Sequence, residues 1–206
     1  MQLEKLKAEI KRKTIQNDSA HDFDHIMRVL KNALKIARKE KGDIRIITAA
    51  VLLHDIVSYP KSDPRSKNSS LESAKKSRSI LKVYGFHDKE IQIISDAIRD
   101  HSFSRGAIPQ TLEGKILQDA DRLDAIGAIG IARVFSVGGS ENRPFYNKKD
   151  PFCKKRSPDD KNWTLDHFYK KLLHLEKKMN TKTGKLEARN RVKIMKKFLS
   201  ELKQEI

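Results

Sequence analysis

Residues 44–55 read Ile44-Arg45-Ile46-Ile47-Thr48-Ala49-Ala50-Val51-Leu52-Leu53-His54-Asp55, an almost unbroken apolar run that ends in two titratable side chains. A run this apolar is typical of a protein core, where burying an imidazole or a carboxylate costs several kcal/mol unless the group has a strong partner. A divalent cation is such a partner, because it keeps the histidine neutral and the carboxylate ionised. The end of this run therefore predicts a buried metal site, provided that other parts of the chain supply further ligands.

The segments on either side of this run show the periodicity of amphipathic helices. In residues 23–38 the apolar side chains are spaced three and four positions apart, which places them on one helix face with His25 near its edge. The same reasoning predicts a helix over residues 69–84, which Gly85 ends, and another over residues 88–101. Each of these helices has one apolar face, so we expect them to pack together as a bundle, with the apolar run of residues 44–55 in its core.

The second half of the chain is less regular. Residues 111–135 predict one long helix, although Gly127 and Gly130 weaken it in isolation and make sense only if another helix packs closely against them. Two further helices are predicted, over residues 164–180 and from residue 185 to the end. No alternating strand pattern occurs in the sequence, so the expected fold class is an all-α bundle.

We expect three parts in this bundle. Residues 1–136 form a helical core, and residues 164–206 form a helical C-terminal extension that packs on it. Between them, residues 137–163 hold glycines, prolines and many lysines, and an irregular segment of this length is typical of a lid-like or disordered loop.

The charge of the chain is strongly positive. Lys and Arg number 44 against 27 Asp and Glu in 206 residues, which gives a formal net charge of +17. Such an excess favours polyanionic partners, namely nucleotides, nucleic acids or acidic membrane surfaces. A solvated, lysine-rich surface on a helical protein explains the charge equally well.

Cysteine content and hydropathy restrict the compartment. Cys153 is the single cysteine, which excludes a disulfide framework and a CxxC metal site. The first residues mix charged and apolar side chains as no signal peptide does, and no stretch reaches the roughly 18 apolar residues of a membrane span. We therefore expect a soluble, cytoplasmic protein without a membrane partner, and the oligomeric state stays open.

Four residues offer a mixed set of nitrogen and oxygen ligands, namely His25, His54, Asp55 and Asp121. His54 and Asp55 are adjacent, so on a helix they diverge by about 100° and can reach one ion only at the helix end. His25 and Asp121 lie on two other predicted helices. The expected cofactor is a divalent metal ion, whether Mn, Fe, Co, Ni, Zn or Mg. The alternative is a buried polar cluster without metal, which would strain a dry core.

Three segments resemble the motifs of the HD-domain metal-dependent phosphohydrolases. They are HDFDHIMRV with His25, AAVLLHD with His54 and Asp55, and QDADRLDA with Asp121. The longer run QDADRLDAIGAIGIAR looks like that of a bacterial and archaeal subgroup of small HD hydrolases. The resemblance covers about residues 20–136 and implies an HD-domain helical bundle in which these four residues are the metal ligands.

The resemblance also implies an activity. HD phosphohydrolases cleave a phosphoester or phosphoanhydride with a metal-activated water, and the substrate expected here is a nucleotide or a related small phosphorylated compound. Asp55 would then serve catalysis as well as metal binding. Cationic side chains stabilise the charge on the phosphoryl oxygens, and Lys61 is the first candidate because it follows the His-Asp pair closely; Arg65, Arg105 and Arg122 are others.

One departure from the family pattern concerns the general acid or base. Several HD nucleotide hydrolases carry acidic residues shortly after the His-Asp pair, whereas here none occurs before Asp63. Asp124, one turn past Asp121, and His101, at the end of an apolar helix, are the candidates for this role. His101 also has an ordinary interpretation as a hydrogen-bonded helix-end histidine. The departure keeps an alternative open, a weak or inactive HD protein that acts as a regulatory or nucleic-acid-binding module.

Overall fold

The computed structural model describes residues 2–13, 23–59 and 63–206, and these residues are α-helical or irregular, with no strand among them. The fold is therefore all-α, as predicted. The α-helices are α1 (Gln2–Lys13), α2 (Phe23–Glu40), α3 (Ile44–Leu53), α4 (Ser69–Val83), α5 (Asp88–Asp100), α6 (Leu112–Asp124), α7 (Gly127–Ser140), α8 (Asp166–Lys170) and α9 (Lys182–Glu205). Short 3-10 helices cover Pro64–Asn68, Phe103–Arg105 and Leu172–Lys178. Within the described ranges no single helix is long and apolar enough to cross a membrane, and only α6 and α7 taken together reach that length and composition.

The chain forms two compact units. The first comprises Met1–Asp121 together with Asn180–Gly184, and the second comprises Arg122–Met179 together with Lys185–Ile206. The predicted core over residues 1–136 therefore includes residues of both units. The packing of the C-terminal helices on that core stays a prediction.

Helix α3 is the centre of the first unit. Its first turn is capped by Asp43, whose side chain accepts hydrogen bonds from the backbone N–H groups of Arg45 at 2.8 Å and Ile46 at 3.0 Å. Helices α1, α2, α4 and α5 all pack against it. Their contacts leave Val51 and Leu53 without accessible surface, which explains why this run is apolar on every face.

The ends of α2, α4 and α5 lie close to the predicted limits. Helix α4 ends as the sequence predicts, with Gly85 at φ +70°. The N–H of Gly85 bonds to the carbonyl of Lys82 and that of Phe86 to the carbonyl of Leu81, both at 3.1 Å. This is the Schellman arrangement, which a residue without a Cβ adopts most readily.

The prediction of one helix over residues 111–135 is wrong. Helix α6 ends at Asp124, and α7 begins at Gly127, whose φ of +80° lies in the left-handed region. The chain turns sharply here. The turn brings the carbonyl oxygen of Ala125 so close to Gly130 that a Cβ at this position would lie 2.3 Å from it. The two glycines that weakened the predicted helix are thus the residues that allow the break.

In the second unit the residues after α7 are irregular but tied together by buried polar contacts. Asp166 has no accessible surface and accepts hydrogen bonds from both terminal nitrogens of Arg156 and from the backbone N–H of Asp159 at 2.7 Å. Cys153 lies beside this pair, and burial together with the Asp166 carboxylate raises the pKa of the thiol to about 11. These contacts order the predicted lid-like segment from within.

The prediction of one helix over residues 164–180 is also wrong. Helix α8 stops at Lys170, Lys171 leaves the helical region with φ −134° and ψ −57°, and a 3-10 helix follows. The buried residues of both pieces, such as Phe168 and Leu175, still form the apolar face that the sequence predicts. Phe168 stacks on Phe198 of α9 with ring centres 5.9 Å apart, so packing inside the second unit overrides the continuous helix pattern.

Candidate metal centre

Two histidines and two aspartates converge at one place in the first unit. The Nε2 atom of His25 lies 3.3 Å from Nε2 of His54, 3.8 Å from an Asp55 carboxylate oxygen and 3.6 Å from an Asp121 carboxylate oxygen. The Nε2 atom of His54 lies 3.4 Å from the same Asp55 oxygen. The structure thus brings together the four side chains that the sequence singles out as metal ligands, from α2, the end of α3, and α6.

The spacing of these donor atoms fits a divalent ion. Nitrogen and oxygen ligands lie about 2.0–2.2 Å from Zn²⁺, so neighbouring donors in a tetrahedral or octahedral shell are about 3.0–3.6 Å apart. The contacts between donor atoms here span 3.3–3.8 Å, and the ligand atoms of His25, His54 and Asp121 all lie within 4.8 Å of one another. The contacts around His25 and His54 are within a few tenths of an ångström of this spacing, so small side-chain shifts would bring these donors around one ion.

His54 presents a nitrogen lone pair to this centre. Its Nδ1 lies 2.7 Å from the carbonyl oxygen of Val51, and because a carbonyl can only accept, the Nδ1 atom is the one that carries the proton. Burial lowers the pKa of His54 below its ordinary value, so the ring is neutral at pH 7. A neutral imidazole whose tautomer is fixed by a backbone carbonyl is the form in which histidine binds metals.

His101 is the third histidine of the cluster. Its ring centre lies 5.0 Å from that of His54, and its Nε2 lies 3.6 Å from an Asp55 oxygen. Its Nδ1 lies 2.6 Å from the carbonyl oxygen of Ile98, the same arrangement as in His54. His54, Asp55 and His101 form a second group with ligand atoms within 4.8 Å of one another. His101 therefore lies close enough to the cluster to act either as a further metal ligand or as a proton donor.

The two helix-end histidines differ in their preferred charge. Burial by itself lowers the pKa of His101, but the hydrogen bond and the charge of Asp55 outweigh burial and raise that pKa above its ordinary value. For His54 burial dominates and the pKa falls. Opposite pKa shifts in neighbouring groups are typical of sites in which one group stays neutral and the other carries a proton. Here His54 would be the neutral metal ligand and His101 the protonated group.

The carboxylates form the accessible side of the cluster. The side chains of His25 and His54 are at most 2% exposed, whereas those of Asp55 and Asp121 keep 17% and 27% of their surface exposed. Solvent and small molecules can therefore approach from the aspartate side, while the imidazoles are held in the protein interior.

Two backbone contacts position the ligand-bearing segments. The side chain of Asn32 on α2 donates to the carbonyl of Ala120 on α6 at 3.3 Å, one residue before Asp121. After Asp55 the chain is fixed to α4, because the hydroxyl of Ser73 bonds both the N–H and the carbonyl of Val57 at 3.1 Å. The ligands thus sit on segments that neighbouring helices hold by hydrogen bonds as well as by packing.

Asp119 is a functional candidate whose environment the sequence does not indicate. One of its oxygens accepts from the backbone and side-chain nitrogens of Asn180 at 2.8 and 2.9 Å, and the other accepts from the N–H and hydroxyl of Thr181, both at 2.8 Å. The carboxylate has no accessible surface. A Cβ at Gly184 would lie 2.4 Å from it. Asp119 is therefore the buried anchor of the segment that starts α9, two residues before Asp121.

Gln118 extends this network to the end of α5. Its amide nitrogen donates to the carbonyls of Asp100 at 2.8 Å and Ala107 at 2.9 Å, and its amide oxygen accepts from Asn180 at 2.9 Å. Asp100 immediately precedes His101. A continuous chain of buried hydrogen bonds therefore joins the backbone beside His101, the α6 residues before Asp121, and the segment 180–184.

The remaining predicted site residues have other surroundings. Asp124 is buried in the second unit and pairs with Arg133 at 2.7 Å, so a structural partner competes with its predicted role as acid or base. Lys61 lies outside the described residues. Arg65 pairs with Asp63 at 2.7 Å and stacks on the ring of Tyr59 at 4.4 Å. A guanidinium that is already paired in this way can meet a phosphate only by giving up part of that contact.

Two further candidates for phosphate binding differ in exposure. Arg105 is exposed at the end of its 3-10 helix. Arg122 is 7% exposed, and one of its terminal nitrogens donates to the backbone carbonyl of Lys178 within the second unit. Burial and a backbone bond are typical of a structural arginine, whereas Arg105 keeps its side chain accessible.

Comparison with known proteins agrees with this geometry. A family model described as HD domain matches residues 22–126. YpgQ of Bacillus subtilis (strain 168), described as uncharacterized, is 32% identical over 209 residues, which cover 100% of this chain and 94% of YpgQ. The crystal structure of YpgQ in complex with ADP superposes with a TM-score of 0.77 at 31% identity, over 100% of this chain and 95% of that one.

A second solved structure gives the same result. A Bacillus thuringiensis protein described as an HD-superfamily hydrolase has a TM-score of 0.77 and 34% identity, over 98% of this chain and 95% of that one. The helical fold, the clustered His and Asp side chains and the match over residues 22–126 agree with one another. The chain belongs to the HD-domain family.

Proposed function

We propose that this protein is a metal-dependent phosphohydrolase that cleaves a phosphoester or phosphoanhydride bond of a nucleotide or a related small phosphorylated compound. The observation that carries the proposal is the convergence of His25, His54, Asp55 and Asp121, in which His25 lies 3.3–3.8 Å from the other three donors and His54 lies 3.4 Å from Asp55. Two imidazoles and two carboxylates at this spacing offer a site for Mn, Fe, Co, Ni, Zn or Mg. Relatives described as HD-superfamily hydrolases support hydrolysis as the reaction class.

The substrate class rests on charge and on one relative. YpgQ, 31% identical in the solved structure, was crystallised with ADP. The net charge of +17 attracts phosphorylated compounds of any kind. Together these observations favour a nucleotide among the small phosphorylated substrates.

The four ligands divide the work of binding. His25 and His54 would hold the divalent ion from the protein interior, and Asp55 and Asp121 would hold it from the accessible side, where a substrate phosphate enters. When bound, the ion would supply Lewis acidity to the phosphoryl group and to the attacking water. The ligand set leaves coordination positions open for both.

His101 is the proton donor in this proposal. Its Nδ1 is committed to the Ile98 carbonyl, so the proton that it can move is the one on Nε2, which faces Asp55 at 3.6 Å. That proton would pass to the leaving oxygen as the P–O bond breaks. Asp55 therefore acts twice, as a ligand and as the group that orients His101. The roles of Asp124 and Lys61 stay predictions.

The test is a hydrolysis screen of purified protein. Nucleoside mono-, di- and triphosphates and cyclic dinucleotides are incubated with each divalent metal in turn, and released phosphate and pyrophosphate are measured. We expect turnover that needs added metal and is abolished by a chelator. The His54→Ala/Asp55→Ala variant should lose both the turnover and the stoichiometric metal.

The chain supplies a matched control for this variant. His87 and Asp88 form another adjacent His-Asp pair in the same unit, exposed at the start of α5. The His87→Ala/Asp88→Ala variant should keep turnover and metal content. Metal-dependent turnover that survives in the His54→Ala/Asp55→Ala protein would defeat the proposal.

The second candidate function is a weak or inactive HD protein with a regulatory role. It is favoured by the lack of acidic residues between Asp55 and Asp63. Its expected result is stoichiometric metal without turnover of any compound in the screen. Turnover at an ordinary enzymatic rate of about 1 s⁻¹ or more would exclude it.

A further inference from the structure

Helix α9 carries its positive charges on one side. At 3.6 residues per turn, five exposed cations from residue 185 onward fall within an arc of about 80° along a rise of about 27 Å. These are Lys185, Arg189, Lys193, Lys196 and Lys203. We refer to these five residues as the cationic stripe, and all of them belong to the second unit.

The acidic residues of α9 avoid this stripe. Glu187, Glu201 and Glu205 lie on the other side of the helix, at least about 80° away from the stripe. Lys185, Arg189 and Lys193 of the stripe, followed by Lys197 just outside it, form three successive like-charge pairs at positions i and i+4. Such pairs destabilise a helix, whereas alternating Glu and Lys stabilise it. A solvated helix without a polyanionic partner gains nothing from this arrangement.

The stripe has little structural role of its own. The face of α9 that packs in the second unit consists of apolar side chains, namely Ala188, Val192, Met195 and Leu199. Within the stripe the ion pair that the structure shows is between Arg189 and Glu176 at 3.3 Å, and the arginine side chain remains 63% exposed. The cations therefore face solvent on a helix whose apolar face is buried in the second unit.

The charge of the second unit reinforces that of the stripe. Its 80 residues contain 20 Lys and Arg against 10 Asp and Glu, a formal charge of +10 of the total +17. The side chains proposed as metal ligands belong to the first unit. The second unit thus holds more than half of the net positive charge but none of the proposed metal ligands.

We propose that the cationic stripe of α9 binds the phosphate backbone of a nucleic-acid duplex without reading its bases. Along about 27 Å of axis each strand of B-form DNA presents about eight phosphates. Because the strands wind around the axis, the row of cations would meet phosphates of both strands on the near side of the duplex. A rigid helix matches a rigid duplex because neither partner has to be ordered on binding. This function goes beyond the proposed hydrolase activity and does not depend on it.

The composition of α9 favours a duplex over the other polyanions. Single-strand binders stack bases on aromatic side chains, and the one aromatic residue of α9, Phe198, packs on Phe168. Helices that lie on membranes place an apolar face in the lipid, whereas here that face is buried in the protein. The exposed Leu186 and Ile194 lie outside the stripe and about 80° from each other.

The test measures binding of the full chain to a fluorescent random-sequence DNA duplex of about 25 base pairs, by anisotropy at several salt concentrations. Five phosphate contacts predict that log K falls against log salt with a slope of about −4.5. The Lys193→Gln/Lys196→Gln variant should bind at least tenfold more weakly at low salt, with a slope less steep by about 2. Circular dichroism checks that its helix content is unchanged.

A matched control separates the stripe from net charge. Lys75 and Lys76 are exposed on α4 in the first unit, and the Lys75→Gln/Lys76→Gln variant has the same total charge as the stripe variant. It should bind the duplex within about twofold of the unmodified protein. Equal weakening by both variants would overturn the proposal, as would the absence of duplex binding at low salt.

Two other probes decide the class of polyanion. A single strand of the same length should bind more weakly than the duplex, and so should vesicles with about one-third anionic phospholipid. Tighter binding of the single strand, or vesicle binding that depends on Lys193 and Lys196, would overturn the assignment to a duplex.

Discussion

Two histidines at helix ends each use one ring nitrogen for the backbone and present the other to the same cluster. His54 and His101 donate from Nδ1 to the carbonyl three residues earlier, at 2.7 and 2.6 Å. Carbonyls in the last turn of a helix have no partner within that helix, so each histidine both caps its helix and fixes its own tautomer. The sequence marks this arrangement only by placing a histidine directly after an apolar helix.

The proposal makes different predictions for His25 and His101. His25→Asn removes a ligand, so metal affinity should fall by about 10–100-fold or more. His101→Asn removes a proton donor, so metal should remain bound while kcat falls by about 10²–10⁴-fold. Metal titration by calorimetry and steady-state kinetics on the same samples measure the two effects. A His101→Asn protein that loses metal as strongly as His25→Asn would make His101 a ligand instead.

Helix α6 shows which features a sequence motif predicts and which it does not. The QDADRLDA motif predicts Asp121 as a metal ligand, and this residue lies beside His25 in the cluster of histidines and aspartates. The break after Asp124 and the burial of Asp119 were missed, because Asn180 and Thr181, the partners of Asp119, lie some sixty positions further along the chain. Local periodicity contains no information about such partners, so it does not distinguish a buried Asp119 from a solvated one.

We predict that Asp119 positions Asp121 as well as stabilising the fold. Asp119→Asn removes the charge and turns an amide NH2 towards two of the four donors, so it should lower the free energy of unfolding by about 2–4 kcal/mol and metal affinity by about tenfold. Leu81→Ala on α4 is the control, because its side chain is fully buried and the change should cost about 2–5 kcal/mol. Both are measured by urea unfolding and metal titration.

The two variants should differ in metal binding. If Asp119 positions the ligand helix, only Asp119→Asn weakens metal binding at a temperature where both proteins are folded. An equal loss of metal affinity in Leu81→Ala would show that general destabilisation is sufficient, and Asp119 would then have no positioning role.

The start of α9 provides a prediction about pH. Glu40 accepts a hydrogen bond from the backbone N–H of Thr183 at 2.7 Å, and hydrogen bonds from the side chain and backbone of Thr183 lower the pKa of Glu40 below its ordinary value. A lowered carboxyl pKa stabilises the fold above the unfolded-state value, and this stabilisation is lost as the pH falls through the folded-state value. Glu40→Gln should therefore cost about 1 kcal/mol or less at pH 7, and less still at pH 3.

Urea unfolding of both proteins from pH 7 to pH 3 measures this difference. As the pH is lowered, the difference in the free energy of unfolding between the two proteins should begin to shrink near the ordinary glutamate pKa of about 4.3 and should shrink further below that pH. A difference between the two proteins that does not change with pH would show that the Glu40 charge contributes nothing at this position.

The sequence predicts the all-α class and helices close to α2, α3, α4, α5 and α9, but it misses the breaks that separate α6 from α7 and that end α8 at Lys170. Helices around residues 44–55 follow from amphipathic spacing, because each packs one face on α3. Residues 111–180 mix glycines, lysines and aromatics, and their helices end where Gly127 and Lys171 leave helical geometry. Packing within the second unit decides where these helices end, and short-range sequence patterns carry no information about that packing.

Metal binding should be visible in the stability of the whole chain. A ligand present at 100 times its Kd adds about 2.7 kcal/mol of stability, which for a chain of this size raises Tm by about 5–10 °C. Differential scanning calorimetry with metal and with chelator measures the shift. The His54→Ala/Asp55→Ala protein should show none, and an equal shift in that variant would mean that the metal stabilises the protein at some other place.

The contact between the half-buried Cys153 and Asp166 has a practical consequence. Maleimide dyes react with thiolates, and a thiol with a pKa of about 11 offers almost none at neutral pH. A new surface thiol, such as Ser200→Cys on the exposed side of α9, would therefore take a fluorophore while the native cysteine stays unlabelled. Single-molecule reporters could be attached to this chain without first building a cysteine-free background.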